Sequence, residues 1–190
     1  IKGYVPGVRE NGGQYTHAAI WAAMAFAALG DRARSWDVMD IINPINHAGS
    51  PEEVNVYKVE PYVVASDVYA LSPHVGRGGW TWLSGSAAWM YRLIVESLLG
   101  LSIQESRIRF SPCLPAEWKE IKIHYRYGET LYHIVMRQHD SETDRPGLTL
   151  DGLVVPDSEI VLADDHQEHI IEVAVLIQAP TARPPGQFPS

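Results

Sequence analysis

The sequence predicts an α+β protein with a helical half followed by a strand half, and three observations lead there. Apolar residues recur at helical spacing up to about residue 102 and alternate after it. Capping residues, Gly and Pro punctuate the first half at helix-length intervals. The second half instead places Gly-Glu and Asp-Gly turns between short, strand-forming runs. The boundaries so drawn are 1–102 for the helices, 103–178 for an antiparallel β-sandwich and 179–190 for a Pro-rich tail.

Taken in order, Ala18, Trp21, Ala22, Ala25, Ala28 and Leu29 form one apolar face, and Gly30 supplies a stop. Asp31 caps a second helix with Ala33, Trp36, Met39 and Ile42 inward, ended by Asn43-Pro44. Ser50-Pro51-Glu52-Glu53 reads as a capped start, and Pro61 opens a further helix through Tyr62 to Leu71. The strongest helix runs from Ser84 to Gly100, its stripe being Ala87, Ala88, Tyr91, Ile94, Val95, Leu98 and Leu99. Trp89, Met90 and Leu93 widen that stripe and predict a largely buried helix.

Beyond Ile103 the period is two. Ile121, Ile123, Tyr125 and Tyr127 alternate with Lys122, His124 and Arg126, and Gly128-Glu129 turns into Leu131 to Met136. Leu148 to Leu150, Asp151-Gly152 and Leu153 to Val155 give a second hairpin; Glu159 to Ala163 and Ile170 to Ile177 add strands.

Composition narrows the function classes. A net charge of −8 without any basic run argues against a nucleic-acid or anionic-membrane partner. The longest apolar stretch, Ala18 to Leu29, falls short of the roughly 20 residues a membrane span needs. Cys113 has no second cysteine to pair with, which fits a reducing compartment. No Met opens the chain, so a piece of a longer protein is expected.

Three loops spend glycine and polar residues freely: Pro6 to His17, Asn43 to Ala48 and Gly76 to Ser86. The first gathers Arg9, Glu10, Asn11, Gln14 and His17, a mixture of planar donors and acceptors suited to sugar hydroxyls. A plain turn at Asn11-Gly12-Gly13 with a Thr16 cap explains the same residues. In the third, Ser84-Gly85-Ser86 opens a long helix, where free amides and the dipole favour an anion such as phosphate. Simple capping explains it equally well. Trp80 and Trp82 suit a sugar-stacking platform, although their size favours a core position. Asp164-Asp165-His166 with His169 has metal-compatible residue types but reads as a solvated acidic turn, so no metal is expected.

Together the loops resemble the inverting glycoside phosphorylases of glycoside hydrolase family 94. The resemblance rests on Gly7-Val8-Arg9-Glu10-Asn11-Gly12-Gly13 with His17, on Glu60-Pro61-Tyr62-Val63, and on Gly79-Trp80-Thr81-Trp82-Leu83-Ser84-Gly85-Ser86-Ala87. Asn43-Pro44-Ile45-Asn46-His47 and Tyr57 to Tyr62 are similar to one branch, the C-terminal phosphorylase-like region of cyclic β-1,2-glucan synthases. It implies the last helices of an (α/α)6 barrel followed by a β-sandwich. It further implies that His17, Ser84 and Gly85 bind phosphate and that Arg9, Glu10 and Ser66 bind substrate. Arg9 stands where relatives often have Lys, Ser84 where several have Thr, and Ser66 near a family Gln.

The implied reaction is inverting phosphorolysis of β-linked glucans, with inorganic phosphate as co-substrate and no cofactor. The general acid is expected upstream, so no catalytic residue is placed in this chain. The implied partners are a β-glucan oligosaccharide, phosphate and the rest of a parent polypeptide, with homo-oligomers through exposed helix faces. A cytoplasmic location is implied, including the cytoplasmic part of an inner-membrane protein. A non-catalytic carbohydrate-binding or structural module, and an inverting barrel hydrolase using Glu10 or Glu60 as base, stand as alternatives.

Overall fold

The computed structural model describes residues 3–82, 84–140 and 147–177, which fall into two compact units divided between Leu99 and Gly100. The Pro-rich tail expected at 179–190, and Leu83 within the third motif, lie outside the described residues.

In the first unit, α1 (Thr16–Ala28) packs on α2 (Arg32–Ile42) and on α4 (Ser84–Arg92). A 3-10 turn, Pro44–His47, and the short α3, Pro51–Tyr57, come between. Asp31 and Ser50 cap as predicted, their side chains accepting from the amides of Arg34 and Glu53 at 3.2 Å each. Ile20, Ala23, Met39, Ile42, Met90, Leu93 and Leu98 form the core, and buried Ser35 donates to the Ala23 carbonyl at 2.9 Å.

Two predicted faces are corrected. In α1 the buried residues are Thr16, Ile20 and Ala23, whereas Trp21 is 52% and Leu29 78% exposed. A helix apolar on every side offers periodicity no contrast from which to choose a face. In the last helix Ser86, Met90, Leu93 and Leu98 are buried, and Ala87, Ala88 and Tyr91 are exposed. From Leu93 to Leu98 it widens into a π-helical turn, in which the Leu99 amide donates to the Ile94 carbonyl five residues back. The extra residue advances the inward face, so a constant 3.6-residue stripe drifts off it.

The helix predicted over Pro61 to Leu71 does not form. Val59, Val63 and Ala65 pack instead with Tyr57 in a second cluster. Behind them runs a three-stranded antiparallel sheet in the order β1 (Gln14–Tyr15), β2 (Asp67–Val68), β3 (Gly78–Gly79). β-Branched Val63 and Val64 disfavour a helix there, and strand pairing takes up the backbone groups.

The second unit holds two sheets. One has the order β10 (Glu159–Val161), β5 (Arg107–Phe110), β4 (Leu101–Gln104). The other has the order β6 (Glu120–Tyr127), β7 (Thr130–His139), β11 (Glu168–Leu176), β8 (Leu148–Leu150), β9 (Leu153–Val154). Both predicted hairpins form, with Tyr127 opposite Thr130 and Leu150 opposite Leu153. The expectation of wholly antiparallel strands is corrected, because β11 runs parallel to β7 along its full length. Local alternation tells which side chains share a face, not which way a strand returning from afar will run.

His169 carries a polar network in this unit. Its ring stacks on Tyr132 at 5.1 Å, with Nδ1 2.7 Å from Asp151 Oδ2 and Nε2 3.1 Å from Asp165 Oδ2. The Asp151 hydrogen bond outweighs partial desolvation, and with Asp165 it holds the imidazole above its ordinary pKa. The Ile170 amide and His169 hold Asp151 below the usual carboxylate range. The raised histidine stabilises fully below its unfolded value of about 6.5, and the gain is lost as pH rises through the folded value. The lowered aspartate stabilises above its unfolded value and is lost only in acid. Melting temperature is therefore expected to fall as pH rises from about 6.5 through the raised folded-state value of His169, with a flatter profile for His169→Gln. Identical slopes would remove His169 from the explanation.

Candidate functional site

The sheet β1–β2–β3 gathers the sequence motifs. Tyr15 pairs with Asp67, and Asp67 with Gly79, so the opening loop, the Ser66 segment and the glycine-rich loop meet on adjacent rungs. Backbone bonds extend the join: Thr16 donates to the Ser66 carbonyl at 2.9 Å, Ser66 to Trp80 at 3.2 Å and Ala70 to Gly7 at 2.9 Å. Several glycines are explained by this packing. A Cβ on Gly79 would stand 2.4 Å from the Tyr69 hydroxyl, and one on Gly13 2.7 Å from the Arg9 nitrogen.

Arg9, at φ 46°, lies against three rings, with its guanidinium carbon 4.6 Å from the Trp80 centroid, 5.3 Å from Tyr4 and 5.8 Å from Tyr15. Its Nη1 donates to the Tyr4 hydroxyl at 3.2 Å, and its Nε lies 3.9 Å from Asp67 Oδ2. Glu10 is exposed, while Ser66 is buried next to Asp67. Burial pushes the Asp67 carboxyl up, and the Arg9 charge pulls it partly back.

His17 occupies the first turn of α1, its ring 4.7 Å from Trp21, 5.7 Å from Trp89 and 5.9 Å from Tyr15. Its Nε2 is buried and has no hydrogen-bond partner among the described residues. Trp89 lies on α4, five residues or about 7.5 Å along the axis from Ser84. Ser84 and Gly85 are exposed, and a Cβ on Gly85 would meet nothing within 4 Å among the described residues. Tyr15 thus touches both Arg9 and His17, and Trp89 ties His17 to the helix that Ser84 and Gly85 begin.

Trp80 and Trp82 are 55% and 70% exposed, so the core position favoured by their size is corrected. Both sit at positive φ, 54° and 62°, a conformation costing non-glycine residues about 1–2 kcal/mol each. Trp82 meets the exposed Tyr62 edge-on at 6.4 Å. The sequence assigns no site role to Asp67, Tyr4, Tyr15 or Trp89; the one signal is an acid inside the apolar run Tyr62 to Ala70. An apolar hollow of about 330 Å³, lined by Val5, Pro6, Tyr69, Leu71 and their neighbours, includes none of the predicted site residues. Among the described residues, no three His, Cys, Asp or Glu side chains are grouped to hold a metal, and no helix is long and apolar enough to cross a membrane.

The profile of the Glycosyl hydrolase 94 superfamily, catalytic domain, matches residues 1–100. The chain belongs to that family. Among its relatives, the cyclic beta-(1,2)-glucan synthase NdvB of Rhizobium meliloti (strain 1021) is 44% identical over 154 residues, 81% of this chain and 5% of the synthase. Solabiose phosphorylase of Paenibacillus borealis is 26% identical over 91% of this chain and 22% of its own length. The 1,2-beta-oligoglucan phosphorylase of Listeria innocua is 32% identical over 61% of this chain and 12% of its own length. This family 94 chain therefore spans less than a quarter of the relatives it matches.

Proposed function

We propose that the chain supplies the phosphate-binding and part of the sugar-binding half of a site for inverting phosphorolysis of β-linked glucans, in a longer polypeptide. The observation that carries this reading is His17 Nε2, buried and unpartnered among the described residues, on a ring packed against the helix that opens at Ser84-Gly85. An imidazole N–H, the Ser84 hydroxyl and the first amides of α4 together suit an oxyanion. Open space over Gly85 lets the anion approach the backbone. Family membership and the names of the relatives, a glucan synthase and several phosphorylases, point the same way.

In the proposed reaction a phosphate oxygen attacks the anomeric carbon while the glycosidic C–O bond breaks. The departing oxygen takes a proton from a general acid assigned outside residues 1–190. Phosphate arrives as an anion, so no base is needed, and the chain's role is to hold it and one sugar. Exposed Trp80, Trp82 and Tyr62 offer stacking faces for neighbouring sugars.

The test is phosphorolysis of a β-1,2-linked gluco-oligosaccharide by the full-length protein, reading sugar 1-phosphate against free sugar. His17→Ala is expected to lower kcat/KM for phosphate by about ten- to a hundredfold, the scale of one hydrogen bond to a charged group. Rates equal to the parent's, or free sugar as the only product, would refute the reading.

A further inference from the structure

Asp67 is fully buried in the middle strand of the sheet, and among the described residues neither carboxyl oxygen makes a hydrogen bond of ordinary geometry, although the charge and the backbone amide of Arg9 both favour its ionised form. Arg9 Nε, also buried and without a hydrogen bond among the described residues, lies 3.9 Å from Oδ2. A buried carboxylate is costly unless a cation or donors compensate it, and among the described ion pairs Arg9 is its cation. Tyr15 and Gly79, on the flanking rungs, fix the backbone of Asp67, while the rings of Tyr4, Tyr15 and Trp80 surround the guanidinium.

We infer that Asp67 is the positioning residue of the sugar half-site, holding Arg9 by its Nε edge so that the outer guanidinium nitrogens meet the glucan hydroxyls. This rests on the proposed function and deepens it. It also gives a reason for arginine at position 9. A guanidinium has two edges and serves a carboxylate on one while addressing a ligand on the other. A lysine ammonium is a single point that Asp67 would draw inward. Asp67 and Arg9 therefore act as one unit, and removing either half should cost what removing both costs.

The experiment is calorimetric titration of the full-length protein with a β-1,2-linked gluco-oligosaccharide and, separately, with inorganic phosphate. The variants are Asp67→Asn, Arg9→Lys, their double, and His17→Ala. Asp67→Asn is expected to weaken oligosaccharide binding about ten- to a hundredfold, the worth of the one charged hydrogen bond to a sugar hydroxyl that a displaced guanidinium loses, and to leave phosphate affinity unchanged. Arg9→Lys should do the same, and the double variant should match either single. Oligosaccharide binding undiminished in Asp67→Asn, or losses that add in the double, would overturn the inference. If Asp67→Asn does not melt cooperatively, Arg9→Lys decides alone, since undiminished oligosaccharide binding there is equally fatal. Loss of phosphate affinity in His17→Ala beside unaltered sugar binding in Asp67→Asn defeats this inference and spares the proposed function. A wild type that binds neither ligand defeats both.

Discussion

Gly100→Ala is expected to destabilise the second unit by about 2–5 kcal/mol, the sum of left-handed strain and overpacking. Gly100 sits at φ +73°, and an added Cβ would lie 2.2 Å from the Ser111 carbonyl carbon and 2.3 Å from the Pro112 nitrogen. Those are backbone atoms, held in place because the Ser111 amide donates to the Gly100 carbonyl at 2.8 Å. They cannot turn aside as a flexible side chain would. Gly152→Ala is the matched control: φ is +80° but nothing lies within 4 Å, so only the conformational strain of about 1–2 kcal/mol should appear. Denaturant unfolding followed by circular dichroism measures both. Equal losses at the two sites would show that the contact with Ser111 is relieved cheaply.

The second large effect belongs to Thr130, which has no solvent exposure. Its hydroxyl accepts from the amides of Asp165 at 2.8 Å and His166 at 2.9 Å, and donates toward Asp165 Oδ1 at 3.2 Å. Valine has nearly the same shape but leaves both amides unsatisfied, at about 1–3 kcal/mol each, so Thr130→Val is expected to cost about 2–6 kcal/mol. Thr130→Ser keeps the oxygen and should cost clearly less. Amide exchange at Asp165 and His166 should quicken in the valine variant alone. Unchanged exchange there would mean those amides find other partners.

The extent to which this fold was legible follows from the range of each interaction. Caps at Asp31 and Ser50 and hairpins at Gly128-Glu129 and Asp151-Gly152 are settled within a few residues, so composition reveals them. The parallel pairing of β7 with β11 and the sheet β1–β2–β3 join segments far apart, and nothing local encodes them. The helix expected over Pro61 to Leu71 gives way both to β-branched Val63 and Val64 and to the pairing of β2 with β1 and β3, and Asp67, which lies in no motif of the family, takes its place only through that pairing. At the candidate site, Arg9, Glu10, His17, Ser66, Ser84 and Gly85 are candidates through motifs alone. Asp67 and the rings that touch Arg9 emerge only once the strands are paired.

The rung between Tyr15 and Asp67 closes a stretch of roughly fifty residues, at an entropic cost of about 3–4 kcal/mol that varies only as the logarithm of length. Ten residues inserted at the Ala48–Gly49 turn would add only about 0.2 kcal/mol to that cost. Spatial assembly of the motifs is thus nearly indifferent to how much chain separates them. The stretch between Tyr15 and Asp67 can therefore lengthen without undoing that assembly, so long as the two-residue clasp and its close-fitting glycines are retained.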